Sequence, residues 1–329
     1  MRALQAKSFG GPDVLALAEL PDAVPGPGEV SIDVSHAAVG LIDLLFRRGQ
    51  FKDVPGMAQP PFIPGLEVAG TVRALGSGVS GFRIGERVVS LSDGSGVGGY
   101  ASIYIAPAHM VVSTEAYRLD PALVVAMVPN MAMAHVALTR VAHIEQGESL
   151  LVHGALGGLS SGFPGMARQL GASRIVGTIL PNKLKAAENS RLPYDRIVDS
   201  NQFQSILAGE TFDVVIDPVG GEVRSESPKL MRPGSRIIVA GNASGDWAHD
   251  VRSNDLWLGS LSMSGFNAAA YFATHPELVR PALKAALEAL AAGLGEIVID
   301  RLPLDHAEAA HRRMEDRSLD GRIVLEING

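Results

Sequence analysis

The chain has 329 residues, is 47% hydrophobic and 19% charged, and carries a net charge of −7. That composition fits a packed globule of about two domains and excludes a nucleic-acid-binding surface, which would need clustered Lys and Arg. Cysteine is absent, which excludes disulfides, a thiolate nucleophile and the commonest structural zinc site.

The N-terminal stretch "MRALQAKSFGGPDVLALAEL" is interrupted by Lys7, Asp13 and Glu19, unlike a secretion signal. No basic run exceeds Arg47-Arg48 or Arg312-Arg313, and no uninterrupted apolar stretch approaches the ~20 residues of a membrane span. A cytoplasmic protein without nucleic-acid or membrane partners is expected. Up to about Ala106 the chain reads as short strands ("EVSIDVSHAAV", "LEVAGTVRALG", "ERVVSLS", "GGYASIYIA") between Gly- and Pro-rich turns. "PALVVAMVPNMAMAHVALTRVAHI" then predicts a long apolar helix. The runs "SLLVHG", "SRIVGTI", "DRIVD", "FDVVIDPVGG" and "GSRIIVAG" follow, with helical candidates between them. Such runs predict a parallel sheet of βαβ units, its strands buried on both faces. "LWLGSLSMSGF" comes next, then a helix "PELVRPALKAALEALAAG", a strand "EIVIDRLPL", a helix "DHAEAAHRRMED" and a strand "GRIVLEI".

Leu150-Leu151-Val152 runs into Gly154-Ala155-Leu156-Gly157-Gly158-Leu159 and then an amphipathic segment ending at Gly171. This is strand, glycine turn, helix, at the first unit of the parallel region. Glycines let the backbone approach a pyrophosphate, and a helix N-terminus offers unpaired N–H donors. A tight loop without a ligand is the plainer alternative. An NAD site usually places an acid about 20 residues on, for the ribose 2′-hydroxyl. Here no acid occurs between Glu148 and Glu188. The strand Arg174–Ile179, with Thr178 near its end, leads instead to Lys183 and Lys185. Lysines there would welcome the 2′-phosphate of NADPH; otherwise they solvate a helix face. Pro164 and Gly165 disturb the helix, which must either start late or bend.

The ordered series "GPDVLALAEL", "PGPGEVSIDV", "IDLLFRRGQF", "PFIPGLEVAGTVRALGSGVSGFRIGERVV", "GGYASIYIA", "LVHGALGGL", "FDVVIDPVGG", "LMRPGSRIIVAG" and "AHRRMEDRSLDGRIVLEI" resembles the zinc-free medium-chain dehydrogenase/reductases of the quinone oxidoreductase-like branch, nearly end to end. The resemblance implies an α/β protein with a GroES-like β-rich domain (1–120 plus 262–329) and a Rossmann doubly wound parallel-sheet domain (121–261). It also implies bound NADPH and a homodimer. Zinc enzymes of the superfamily would carry a cysteine at Gly40 and a histidine at Leu66. Neither ligand is present, and no histidine of the nine pairs at ligand spacing with another, so no metal is expected.

Without metal or thiol the chemistry falls to the cofactor, with the protein orienting reactants and stabilising charge. Relatives often carry Asn, Tyr and Thr where this chain has Gly40, Phe51 and Met133. The expected pocket is therefore apolar, lined by Leu41, Leu44, Phe51, Phe62, Met131 and Met133, and suited to an apolar conjugated substrate. Asp43, Phe51, Met133 and His135 are the candidates at the reacting centre. Asp43 and Arg47, four apart on a helix, have an ion pair as their plainer explanation; His135 has core burial as its own. The candidate cofactor contacts are Asn130, the turn residues Gly154, Leu156, Gly157, Gly158 and Leu159, then Thr178, Lys183, Lys185, Gly241, Asn242, Phe266 and Asn267. Three functions are open: an NADPH-dependent reductase of activated C=C bonds, a reductive cyclase of natural-product biosynthesis, and a non-catalytic NADPH-binding protein.

Overall fold

In the computed structural model, residues 1–92, 98–249, 251–316, 319 and 321–327 are described; three positions of the terminal motif (317, 318 and 320) and the last two of the expected first domain (328–329) lie outside them. In chain order the strands and helices are β1 (Arg2–Ala6), β2 (Leu15–Glu19), β3 (Glu29–Val39), α1 (Leu41–Arg47), β4 (Glu67–Leu75), β5 (Arg87–Leu91), β6 (Ile103–Pro107), β7 (Val111–Ser113) and α2 (Pro121–Val136). They continue as β8 (Ser149–His153), α3 (Gly162–Gln169), β9 (Arg174–Ile179), α4 (Leu184–Glu188), β10 (Arg196–Asp199), α5 (Phe203–Ile206), β11 (Phe212–Asp217), α6 (Glu222–Glu226) and β12 (Met231–Val239). The remainder are α7 (Ser253–Gly259), β13 (Ser262–Gly265), α8 (Ala268–Thr274), α9 (Val279–Ala291), β14 (Ile299–Pro303), α10 (Ala307–Glu315) and β15 (Arg322–Glu326).

The chain divides into two compact units. The first comprises Met1–Pro129, Phe272–Leu287 and Val298–Gly329. Its main sheet runs β14-β15-β3-β4-β5-β7, with β6 also on β3. The C-terminal strand β15 pairs antiparallel with β3, so the chain's last strand completes a sheet begun near its start. The core of this unit is aliphatic and aromatic, with Ile32, Val34, Leu44, Val68, Tyr100, Leu304 and Ile323 buried. On β4, Val68 and Val72 belong to that core and Arg73 is exposed.

The second unit comprises Asn130–Tyr271 and Glu288–Ile297. Its sheet runs β10-β9-β8-β11-β12-β13 with every pairing parallel. Strands buried on both faces account for the continuous apolar runs: β8 and β11 are buried throughout. β13 belongs to this sheet, so ending the unit at 261 cuts off its edge strand. The chain winds outward from β8 through β9 to β10, then returns to β11 on the other side. The turn after β8 therefore lies at the topological switch point.

One further sequence expectation is corrected and one open alternative is resolved. The segment Pro121–Val141 is 21 residues long with a mean hydropathy of 1.7, so one stretch does reach spanning length; 78% of its most apolar window is buried inside the protein, as a core helix. The helix after the glycine turn starts late rather than bending. α3 begins at Gly162, so Pro164 falls in its first turn, where no intrahelical N–H bond is lost. The small residues there serve close packing. A Cβ on Gly162 would lie 2.6 Å from the Asn130 carbonyl oxygen, and one on Gly165 2.0 Å from that of Leu294.

Candidate active site

The glycine turn spends the carbonyls of Gly154, Ala155, Gly157, Gly158 and Leu159 on protein donors, while only some of its N–H groups have protein acceptors. Gly157 N–H donates to Gly154 O, Ser161 N–H to Gly157 O, Gly162 N–H to Leu159 O and Phe163 N–H to Ser160 O. Gly154 has φ +70, a left-handed conformation that glycine adopts without a Cβ penalty. Among the described residues, the N–H groups of Leu156, Gly158 and Leu159 donate to no protein acceptor. Three such donors at a helix approach form an anion-binding concavity. The fit to a dinucleotide diphosphate rests on these unpaired donors.

Parallel pairing brings the other expected loops to the same sheet edge, because each follows the carboxyl end of a strand. A Cβ on Gly154 would lie 3.1 Å from Val219 Cγ2, and one on Gly220 1.9 Å from Asn242 Oδ1. The loops after β8, β11 and β12 therefore touch in sequence. Asp217, fully buried at the end of β11, accepts the N–H groups of Val219 (2.9 Å) and Gly220 (2.7 Å) and pairs with Arg224. Arg224 in turn donates to Gly241 O at 2.7 Å. Asn242 Nδ2 is buried and unpartnered among the described residues, as is His135 Nδ1. Burial holds the His135 pKa below its ordinary value, so the ring is neutral. Each of these nitrogens costs free energy unless a ligand or water meets it.

The other expected contact residues differ in exposure. Thr178 is fully buried, and its hydroxyl is 2.9 Å from His153 Nδ1. The Phe266 side chain is buried against Tyr271, with ring centroids 5.7 Å apart. Asn130 is buried too. Asn267 is exposed, and its Oδ1 accepts Ala270 N–H at the start of α8. Lys183 is half-buried and Lys185 exposed, on the segment after β9. Of the expected pocket, Leu44, Phe62 and Met131 are core residues. Leu41 is exposed, and Phe51 and Met133 are half-buried.

In the first unit, Asp43 is 1% exposed and fully committed. Oδ2 accepts Gly40 N–H (2.8 Å) and Tyr100 Oη–H (3.1 Å), and Oδ1 accepts Gly65 N–H (3.2 Å). Burial nevertheless outweighs these donors and pushes its pKa up to about 7. The expected pair with Arg47 does not form. Arg47, fully buried, bonds Glu315, His311 Nδ1 and Gly10 O. Guanidinium only donates, so His311 Nδ1 accepts and its Nε2–H faces Tyr100 Oη at 3.4 Å. Tyr100 then donates to Asp43. The two charges are thus joined by a one-way chain, Arg47 to His311 to Tyr100 to Asp43. Asp43 is a fastener between α1 and the Gly65 turn, not a residue free to pass a proton to substrate. The sequence reading missed His311 and Tyr100 because their partners lie 264 and 57 residues away.

No group of three or more His, Cys, Asp or Glu placed to hold a metal occurs among the described residues. Gly40 and Leu66 supply no ligand atoms where zinc relatives would need them.

The alcohol dehydrogenase GroES-like domain family matches residues 26–116, and the zinc-binding dehydrogenase family matches residues 192–325. The chain is 28% identical to a quinone oxidoreductase of Lama guanicoe, over 99% of this chain and 97% of that protein. It is 29% identical to a 2-haloacrylate reductase of Burkholderia sp, over 96% of each. A mycobacterial structure complexed with NADPH superposes with a TM-score of 0.85 at 27% identity, covering 99% of this chain and 100% of that one. The ordered motifs, the two matching domains and these full-length similarities converge, and the chain belongs to the medium-chain dehydrogenase/reductases as a quinone oxidoreductase-like member.

Proposed function

We propose that this chain is an NADPH-dependent reductase of activated C=C bonds, acting on a quinone or enone conjugated to a carbonyl. The observation that carries this reading is the row of unpaired N–H groups at Leu156, Gly158 and Leu159, at the switch point of the parallel sheet. The NADPH held by the mycobacterial neighbour and the names of the two relatives support it. The turn amides would hold the diphosphate, and Lys183 and Lys185 the 2′-phosphate. Asn242 Nδ2 and His135 Nδ1 would receive polar groups of the bound molecules. With NADPH bound, the chemistry available is hydride donation to the electron-poor β-carbon. The enolate then takes its proton from solvent, since Asp43 is sealed in the core.

The apolar character of Leu41, Phe51 and Met133 favours a second reading. Where no side chain protonates the enolate, it can attack a nearby electrophilic carbon and close a ring, as a natural-product reductive cyclase would require. A non-catalytic NADPH-binding role is the third. Incubation with NADPH and panels of quinones, enones and polyenes, followed at the nicotinamide absorbance and by counting the double bonds left in the product by NMR, separates them. Dihydro products support the reductase, cyclic products the cyclase, and binding without oxidation the third.

A homodimer belongs to the same reading. β13 ends the parallel sheet with an open edge, and Trp257 and Leu258 on the adjoining α7 are 76% and 74% exposed. Open edges and large exposed apolar side chains are costly unless covered, and a second copy covers both by an isologous contact.

A further inference from the structure

The glycine turn is gripped from behind by a tyrosine outside every motif. Tyr194 Oη lies 3.1 Å from Ala155 O and 3.3 Å from Ser160 O, one on each arm of the loop. Its ring is seated over Gly177, where a Cβ would come within 3.1 Å of the ring and 2.7 Å of Ala155 Cβ. Burial pushes the phenol pKa up, so the hydroxyl stays a donor.

A trans peptide is planar, with its C=O and N–H pointing in opposite directions. Whatever grips the carbonyl of one residue therefore aims the N–H of the next. Tyr194 grips Ala155 O, which turns Leu156 N–H away from the body of the protein. Ser161 N–H holds Gly157 O at 2.8 Å, which aims Gly158 N–H, and Ser161 Oγ–H holds Gly158 O at 2.7 Å, which aims Leu159 N–H. The three gripped carbonyls are the peptide partners of the N–H groups of Leu156, Gly158 and Leu159.

The base of the loop is fixed in the same way. Ser160 Oγ donates to His153 O at 2.8 Å. Ser227 Oγ donates to Val223 O (2.6 Å), so it accepts from His153 Nε2–H at 2.8 Å. His153 Nδ1 is left to accept from Thr178. Burial holds that ring neutral, its pKa lowered to about 4.

We propose that Tyr194, assisted by Ser161, is a positioning residue for dinucleotide binding: its single O–H proton, shared between the Ala155 and Ser160 carbonyls, and the Ser161 N–H and hydroxyl hold the loop so that Leu156, Gly158 and Leu159 N–H are aimed at the diphosphate before the ligand arrives. This rests on the NADPH reading above. Preorganisation of donors lowers the ordering cost of binding, and one lost hydrogen bond of ordinary strength corresponds to a several-fold change in affinity.

The test is Tyr194→Phe, which keeps the ring over Gly177 and removes only the hydroxyl, with Ser161→Ala as a second variant. NADPH and ADP-ribose 2′-phosphate, which carry the diphosphate, should bind about fivefold more weakly to Tyr194→Phe. Adenosine 2′-monophosphate, which lacks it, should bind as to the unaltered protein. In the ligand-free protein, amide exchange at Gly157, whose N–H donates to Gly154 O across the loop, should accelerate. Unchanged NADPH affinity, or an equal loss for adenosine 2′-monophosphate, overturns the clamp while leaving the reductase reading in place. Failure of the unaltered protein to bind NADPH removes that reading and the clamp's purpose with it.

Discussion

Replacing Gly165 by alanine adds one methyl where α3 lies directly on the backbone after α9. By helix propensity alone the change should stabilise, since alanine exceeds glycine by about 1 kcal/mol inside a helix. The structure reverses that sign. The new Cβ would lie 2.0 Å from the Leu294 carbonyl oxygen and 3.0 Å from its carbon, whereas favourable contacts begin at about 3.5 Å. The obstacle is backbone, so no rotamer change relieves it and the helix must move by about an ångström. Overpacking of this kind costs about 1–3 kcal/mol or more. Taking about 3 kcal/mol and subtracting the propensity gain leaves a loss of about 2 kcal/mol, or roughly 4–8 °C in the Tm of a unit this size. Gly265→Ala is the internal control, because nothing lies within 4 Å of a Cβ there. Thermal and urea unfolding of both variants decides the matter. A Gly165→Ala protein as stable as the unaltered one, or more so, refutes the close packing of α3 on the Leu294 carbonyl.

Other consequences are as direct. Lys183→Ala with Lys185→Ala should weaken NADPH by about tenfold relative to NADH, since charge-assisted contacts to the 2′-phosphate are lost; equal titration curves for the two nucleotides would reassign these lysines to solvation. Asp43, with its pKa raised to about 7, keeps more protons folded than unfolded, so its contribution is full below about pH 4 and is lost as pH rises through 7. Urea unfolding between pH 5 and 8 should therefore fall more steeply for the unaltered protein than for Asp43→Asn, and matching slopes would be the contrary result. His311 has the opposite sign: burial lowers its pKa to about 3, so its stabilisation is present above about pH 6.5 and declines below that. His311→Gln should flatten the acid limb of the same curves. Trp257→Glu should lower the molecular mass in solution to that of one chain without unfolding it, measurable by light scattering; a single-chain mass in the unaltered protein would dismiss the dimer.

Local pattern determined much of this protein. Continuous apolar runs in β8, β9 and β11 specify strands buried on both faces, and that burial requires a parallel sheet with helices over it. The glycine turn after β8 was legible for the same reason, since its backbone chemistry is written in consecutive residues. The edge strand β13 was less so: Ser262-Met263-Ser264-Gly265 is half exposed, and only pairing with β12 identifies it. Side-chain partnerships were decided by tertiary structure alone. Spacing on α1 offers Arg47 to Asp43, yet Arg47 binds Glu315 and His311 from the far end of the chain, because a buried guanidinium takes the partners that complete its desolvated donors. Tyr194 and Gly177 lie 17 positions apart with no pattern joining them, and they meet only because one lacks the atom the other's ring would strike. Sequence periodicity records which faces are buried; it carries no record of which distant groups meet once they are.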